Sequence, residues 1–195
     1  VFEGIDGSGK TTLAKAVQAE LTKRDVRCTY TKEPTDEGSK RLADPDICNP
    51  VESMLIFMQD RLRHTREMAK DIWDGKIVLC DRYYYSTIAY QSFVLAKAGY
   101  FKRPWSGVHA ITDIASLGSL EPECTFLLDI PIDLAASRVS SRHSTSKYEV
   151  EEVQDHCDRV YRWMAATNLG GPWVCLDARD DLDHLVEFVV KAIGV

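Results

Sequence analysis

The sequence predicts an α/β fold of three layers: a five-stranded parallel sheet flanked by helices, with a short lid. Three observations predict it. Five short apolar runs are spread along the chain, and the stretches between them carry apolar residues three and four apart, the period of an amphipathic helix. Strands that alternate with helices imply a parallel sheet covered on both faces. Runs such as Ile77-Val78-Leu79-Cys80 are continuously apolar, as a strand buried on both sides is.

Each element has its own signal. Val1-Phe2 is the tail of a first strand, and a glycine-rich loop follows it. Leu13, Val17 and Leu21 form a stripe along a helix from about Lys10 to Lys23. Val26 to Tyr30 is a second strand. A helix starting near Pro50 carries Met54, Leu55, Met58, Leu62 and Met68 as its stripe. The third strand ends at Cys80, the fourth runs from Cys124 to Ile130, and the fifth from Trp173 to Leu176. Leu182, Leu185, Val186, Val189, Val190 and Ile193 mark a last helix. Two stretches read as loops: Tyr100 to Gly107, which contains Pro104 and Trp105, and the polar, basic Ser140 to Lys147. No repeat or linker divides the chain, so residues 1–195 read as a single domain with a lid at about 140–149.

Composition narrows the function classes. The chain has 195 residues and a net charge of −6, which disfavours general nucleic-acid binding but leaves room for a local basic cleft. Cys28, Cys80, Cys124 and Cys175 lie in or beside apolar runs and read as small buried hydrophobes. With no Cys-x-x-Cys pair or zinc-ligand spacing, the six cysteines fit a reducing, cytoplasmic setting. No apolar run approaches a membrane span. The chain opens without Met, so its true N-terminus is expected a few residues upstream.

Gly4-Ile5-Asp6-Gly7-Ser8-Gly9-Lys10-Thr11 matches the P-loop pattern in full, with an apolar strand before it and an amphipathic helix after. The glycines let backbone N–H groups turn inward around phosphate oxygens. Lys10 reaches the β- and γ-phosphates, Thr11 offers a hydroxyl to Mg²⁺, and the helix points its positive end at the same anion. These residues predict a P-loop NTPase fold that binds ATP with Mg²⁺. Asn-Lys-x-Asp, the base-reading motif of GTPases, does not occur. Asp6 stands out, because a carboxylate beside phosphates is repulsive unless a cation or a proton-bearing substrate lies nearby.

Asp81-Arg82-Tyr83 follows the third strand directly, at the carboxyl end where α/β sheets bind ligands. Asp81 could support Mg²⁺ through water, and Arg82 could project a bidentate fork at a phosphate. The alternative is a salt bridge at a strand end. Phe57 and Arg61 lie four apart on the helix from Pro50 and share a face. They could stack and hydrogen-bond a base. Read alone, Phe57 fits the core, and Asp60, Arg61 and His64 fit a solvated face.

Taken together, these motifs resemble the thymidylate kinases, P-loop enzymes that phosphorylate dTMP. The matching stretches are Glu3 to Thr12, Lys32-Glu33-Pro34-Thr35, Glu52 through His64, Asp81-Arg82-Tyr83-Tyr84-Tyr85-Ser86-Thr87-Ile88-Ala89-Tyr90-Gln91, Glu121-Pro122 through Leu128-Asp129-Ile130, and Lys147-Tyr148-Glu149. They occur in the family's order and cover the chain nearly end to end.

The resemblance implies transfer of the γ-phosphate of ATP to dTMP. It implies an ATP site at Gly4, Ile5, Asp6, Gly7, Ser8, Gly9, Lys10, Thr11 and Thr12, with Thr11 and Asp81 for Mg²⁺. Its implied catalytic residues are Asp6, Lys10, Arg82, Arg138 and Arg142. Its implied substrate residues are Glu33, Phe57 stacking on thymine, Arg61 at the base edge, Arg82 on the phosphate, Ser86, Thr87 near thymine, Tyr90 under the deoxyribose, and Tyr148. Arg138, Arg142 or Lys147 would close over the transferring group; the alternative is a solvated basic loop. A homodimer is also implied, with neither nucleic acid nor membrane as a partner.

The chain departs from the family in two places. Thr35-Asp36-Glu37 stands where many relatives have Gly-Gly-Thr or an Arg, and Ser146-Lys147 replaces an Asp-Arg pair in the lid. Rival readings are a kinase for dUMP, dCMP or a deoxynucleoside, and an ATP-binding P-loop protein without kinase activity.

Overall fold

The computed structural model describes residues 1–47, 49–140 and 151–195. Five parallel strands form one sheet: β1 (Phe2–Glu3), β2 (Cys28–Lys32), β3 (Ile77–Asp81), β4 (Thr125–Asp129) and β5 (Trp173–Asp177). Their spatial order is β2-β3-β1-β4-β5. The expected five-stranded parallel sheet is therefore present, with strand ends shifted by up to two residues. Phe2 pairs with Asp81 on one side and with Phe126 on the other, so the short β1 sits at the centre. β3, β1 and β4 are more deeply buried than the edge strands β2 and β5.

Helices cover the sheet: α1 (Lys10–Lys23), α2 (Asp36–Leu42), α3 (Pro50–Trp73), α4 (Tyr84–Lys97), α5 (Pro104–Ala115), α6 (Ile132–Ser140), α7 (Glu151–Thr167) and α8 (Leu182–Ala192). α1 buries the predicted Leu13, Val17 and Leu21. α3 starts where Asn49 caps it, its side chain accepting from Val51 N at 2.8 Å, with Pro50 in the first turn. Asp181 caps α8 by accepting from Asp183 N and His184 N. None of the described helices is long and apolar enough to cross a membrane.

Four expectations need correction. Pro104 opens α5 rather than marking a loop, because proline is tolerated in a first turn where its missing N–H is not required. Of the stripe expected on α3 only Met68 is buried, with Met54 and Met58 half-buried. Leu55 is 55% and Leu62 43% exposed, while Ser53, Ile56, Asp60, Arg61, His64, Thr65 and Met68 turn inward. Ser53 and Arg61 on this face line a cleft, Asp60 and His64 are held by hydrogen bonds to Thr35, Thr31 and Glu33, and Met68 joins the core. Leu182 is likewise exposed while Leu185, Val186, Val189 and Val190 are buried. Cys175 lies on edge strand β5 and is exposed, Cys28 and Cys124 are half-buried, and Cys80 is buried. The predicted lid beyond Ser140, with Arg142, Lys147 and Tyr148, lies outside the described residues.

Candidate active site

The loop between β1 and α1 reverses the chain through three glycines with positive φ: Gly4, Gly7 and Gly9. Gly7 leaves no choice of residue, since a Cβ there would overlap the Ala135 carbonyl of α6. Lys10 lies inside the loop and donates from Nζ to the carbonyls of Gly4 (3.0 Å) and Ile5 (2.8 Å) and to Ser8 Oγ (3.3 Å). Burial pushes the Lys10 pKa down to about 8. Arg82 adds to the depression, and Asp6, Asp81 and Glu3 oppose it.

β3 ends beside this loop. Thr11 Oγ1 donates to Asp81 Oδ2, and Tyr30 OH donates to the same oxygen at 3.3 Å. A hydroxyl and a carboxylate thus meet at the foot of the P-loop. No group of three or more His, Cys, Asp or Glu side chains among the described residues could hold a metal ion unaided. A pair of hard oxygen donors with room for substrate oxygens suits Mg²⁺, which is held by few protein ligands plus phosphate.

Arg82 follows with φ of 70°, in the left-handed region that disfavours a side chain. That turn sends its guanidinium back across the sheet edge to the loop. Nη2 donates to Asp6 Oδ1, and Nη1 donates to Ser86 Oγ (3.0 Å), Tyr161 OH (3.4 Å) and Gly4 O (3.5 Å). The guanidinium lies over the Tyr90 ring, 5.2 Å from its centroid. The cation that Asp6 called for is therefore Arg82. Gln154 of α7 completes the arrangement. Its Oε1 accepts from Asp6 N (3.0 Å) and its Nε2 donates to Asp6 Oδ2 (3.0 Å). Burial would raise the Asp6 pKa, but Arg82, Lys10 and the Gln154 hydrogen bond outweigh it and hold the carboxyl below its usual range.

Two clefts open here. The larger, about 680 Å³, is lined by Glu33, Phe57, Arg61, Ser86, Thr87 and Tyr90 together with Arg82 and Asp6. Every predicted substrate residue among the described ones lines it. The smaller, about 300 Å³, is lined by Gly9, Lys10, Thr11, Thr12 and Asp81. Asp6, Glu33, Pro34, Ser39 and Arg82 line both, so the clefts meet at their charged ends.

Arg61 is buried, not solvated. Its Nε donates to Glu33 Oε2 (2.7 Å), Nη1 to the Ala115 carbonyl (3.2 Å) and Nη2 to Thr87 Oγ1 (2.6 Å). An arginine has five N–H donors, so its fork retains capacity for a ligand in the cleft it lines. His64 is buried beside it, with Nδ1 3.0 Å from Glu33 Oε1 and Nε2 2.5 Å from Thr31 Oγ1. Asp60 is structural. It accepts from Thr35 N (2.7 Å) and Thr35 Oγ1 (2.5 Å), while Thr35 Oγ1 caps α2 by accepting from Gly38 N. The unusual Thr35-Asp36-Glu37 is thus a helix start latched to α3. Phe57 is half-buried and lines the larger cleft instead of joining the core.

Arg138 is the exception among the predicted cations. It donates to the carbonyls of Gly7 (3.5 Å) and Ala178 (3.2 Å) and lines neither cleft.

The sequence model of the family described as Thymidylate kinase matches residues 2–189. A "Probable thymidylate kinase" of Archaeoglobus fulgidus is 32% identical over 196 residues, covering 98% of this chain and 92% of the relative. One from Sulfurisphaera tokodaii is 33% identical over 193 residues (98% and 93%), and one from Thermoplasma volcanium 31% over 190 residues (96% and 92%). The chain belongs to the thymidylate kinase family. It is a nucleoside monophosphate kinase that uses ATP, a transferase.

Within this thymidylate kinase site, sequence reasoning missed four polar residues. Glu3 is fully buried and accepts four hydrogen bonds around Arg82. Gln154 and Tyr161 lie seven apart on the buried face of α7, the spacing of two helical turns. Gln91 lines the larger cleft, is buried, and its Oε1 has no hydrogen-bond partner among the described residues. A polar residue at an apolar period was the available signal for Gln154 and Tyr161, and adjacency to the motifs was the signal for Glu3 and Gln91.

Proposed function

We propose that the chain transfers the γ-phosphate of ATP to dTMP with the residues gathered in these two clefts, giving dTDP and ADP. One observation carries the reading. An aromatic ring and a buried, partly committed guanidinium (Phe57 and Arg61) line the same cleft as a phosphate-binding fork (Arg82), and that cleft joins the P-loop cleft at Asp6 and Arg82.

Phosphoryl transfer demands little covalent chemistry from the protein, so positioning and charge neutralisation dominate. Lys10 and the loop N–H groups hold the ATP phosphates. Thr11 and Asp81 would hold Mg²⁺, which would supply charge neutralisation at those phosphates. The acceptor is a phosphate oxygen already ionised at neutral pH, so no strong general base is required. Arg82 aligns it, and Asp6 holds Arg82 within reach of both phosphates. Phe57 stacks on the base, and Arg61 donates to a base carbonyl while Thr87 fixes the fork. Gln91 lines the same cleft and offers its amide to the base edge. Tyr90 packs under the sugar.

The remaining readings are that the chain acts as one domain in the cytoplasm, with Arg142, Lys147 and Tyr148 serving a lid. It pairs as a homodimer, which fits the exposed Leu62, Ile114 and Leu117. It makes no use of nucleic acid.

The decisive experiment is a coupled ADP-release assay with dTMP, dUMP, dCMP and thymidine as acceptors. The highest kcat/KM is expected with dTMP and the next with dUMP, since one methyl is worth only about 1–3 kcal/mol in a pocket. A preference for dCMP or thymidine would overturn the acceptor assignment. Binding of ATP with no ADP released against any acceptor would overturn the activity.

A further inference from the structure

We infer that Glu3 is a positioning residue for Arg82: a buried carboxylate that fixes the direction of both the backbone turn and the guanidinium that would hold the acceptor phosphate. The inference rests on the assignment of Arg82 as the acceptor-phosphate clamp.

Glu3 lies on β1, one residue before the P-loop, and is 0% exposed. Oε1 accepts from Tyr83 N (2.7 Å) and Ser86 N (3.3 Å). These N–H groups belong to the N-cap and first turn of α4, whose N-cap Tyr83 makes no side-chain capping bond of its own. A carboxylate on a neighbouring strand therefore caps the helix and meets its positive end. Arg82 immediately precedes that N-cap, and its own N donates to Phe2 O at 3.0 Å. Its φ of 70° is thus held between two consecutive residues of β1.

Oε2 controls the other end of the side chain. It accepts from Ser86 Oγ (2.8 Å) and Tyr161 OH (2.9 Å), and those two hydroxyls are 2.8 Å apart. A hydroxyl has one proton and two lone pairs. With the protons drawn toward Glu3, lone pairs are left for Arg82 Nη1, which donates to Ser86 Oγ and Tyr161 OH. The ionised carboxylate so sets the polarity of the whole cluster without touching substrate. Burying a charge is costly and pushes the Glu3 pKa up; with no direct ion pair to Glu3 among the described residues, nearby Arg82 and the hydrogen bonds from Ser86, Tyr83 and Tyr161 oppose that shift and favour the carboxylate.

Glu3→Gln tests this with almost no change of shape. The amide oxygen can still cap α4, but the NH₂ must donate to Ser86 and Tyr161, which turns their protons toward the Arg82 N–H groups. The expected result is a rise in KM for dTMP of about tenfold with a similar fall in kcat, the equivalent of about 1.4 kcal/mol each. KM for ATP should stay within about twofold of wild type. In an Arg82→Ala background the same substitution should add no further loss. Unchanged dTMP kinetics in Glu3→Gln, or an undiminished loss in the Arg82→Ala background, would overturn the inference while leaving the Arg82 assignment standing. An Arg82→Ala enzyme with normal dTMP kinetics would remove both. If Glu3→Gln does not fold, Tyr161→Phe serves instead: it removes one hydroxyl, should raise KM for dTMP by about threefold, and overturns the inference if KM is unchanged.

Discussion

Lys10 carries two opposed demands. It must hold polyphosphate as a cation, yet the loop buries it and Arg82 repels it, so its pKa falls to about 8. Log kcat/KM for ATP should therefore be flat below that value and fall by about one per pH unit above it, because this parameter reports the free enzyme. A profile flat to pH 10 would show that the neutral amine is not the inactive form. The effect on stability has the opposite sign. Between about pH 8 and the unfolded value of 10.5 the unfolded chain holds the proton that the folded one has lost, so unfolding free energy rises with pH through this window as far as Lys10 is concerned. Lys10→Met should erase that rise, read by urea titrations on either side of the window, and should lower turnover by orders of magnitude. Arg61 gives a second residue-level test. Arg61→Met leaves buried Glu33 with only His64 paired to it among the described residues and should cost about 3–5 kcal/mol. Adding Glu33→Gln should return part of that stability in urea titrations, with dTMP binding still lost. Phe57→Ala should weaken dTMP binding by about 1–3 kcal/mol, the worth of one stacked base. An unchanged dissociation constant by calorimetry would return Phe57 to a packing role. At this scale the sequence was legible where a residue type has few uses, as at Lys10, Thr11 and Arg82. At Glu3 it gave adjacency to a motif and no more, because the donors that define its role, on Tyr83, Ser86 and Tyr161, lie far away in the chain.

Among the elements, α3 shows why periodicity misleads. Its most apolar stripe holds Leu55 and Leu62, both exposed, and its inward face carries Asp60, Arg61 and His64. Hydrophobicity finds the face of a helix that meets a core, and α3 turns a different face to a ligand cleft. α5 was missed for a simpler reason: Pro104 is both a loop residue and a good first helical residue, and only the stretch after it decides. α2 depends on contact with α3. Gly38 sits so close to the Asp60 carboxylate that a Cβ would overlap it. Gly38→Ala should push α2 outward, destabilise the fold by about 1–3 kcal/mol, and raise KM for dTMP more than KM for ATP, because Leu42 and Ala43 line only the larger cleft. Equal rises in both constants in steady-state assays would show that α2 serves the two substrates alike.

For the molecule as a whole, alternation of strands and helices disclosed the parallel sheet, and the P-loop located its ligand edge. What remained hidden was the order β2-β3-β1-β4-β5, which places the ends of β1 and β3 side by side and so joins Asp6 to Arg82. No local pattern records that adjacency. A global prediction follows from a site assembled from several strands and helices. dTMP at a hundred times its dissociation constant should raise unfolding free energy by about 2.7 kcal/mol, and Arg82→Ala should abolish most of the gain in thermal shift measured at the same ligand concentration.

The division of the two clefts has a consequence for how such an enzyme can change over time. Their common lining, Asp6, Glu33, Pro34, Ser39 and Arg82, lies where the phosphates meet, while Phe57, Arg61, Thr87 and Gln91 line the larger cleft alone. The recognition surface is thus modular with respect to the reaction. Retargeting to another base requires edits at those four positions and leaves the transfer apparatus inherited intact, so a lineage can exchange substrates without relearning its chemistry.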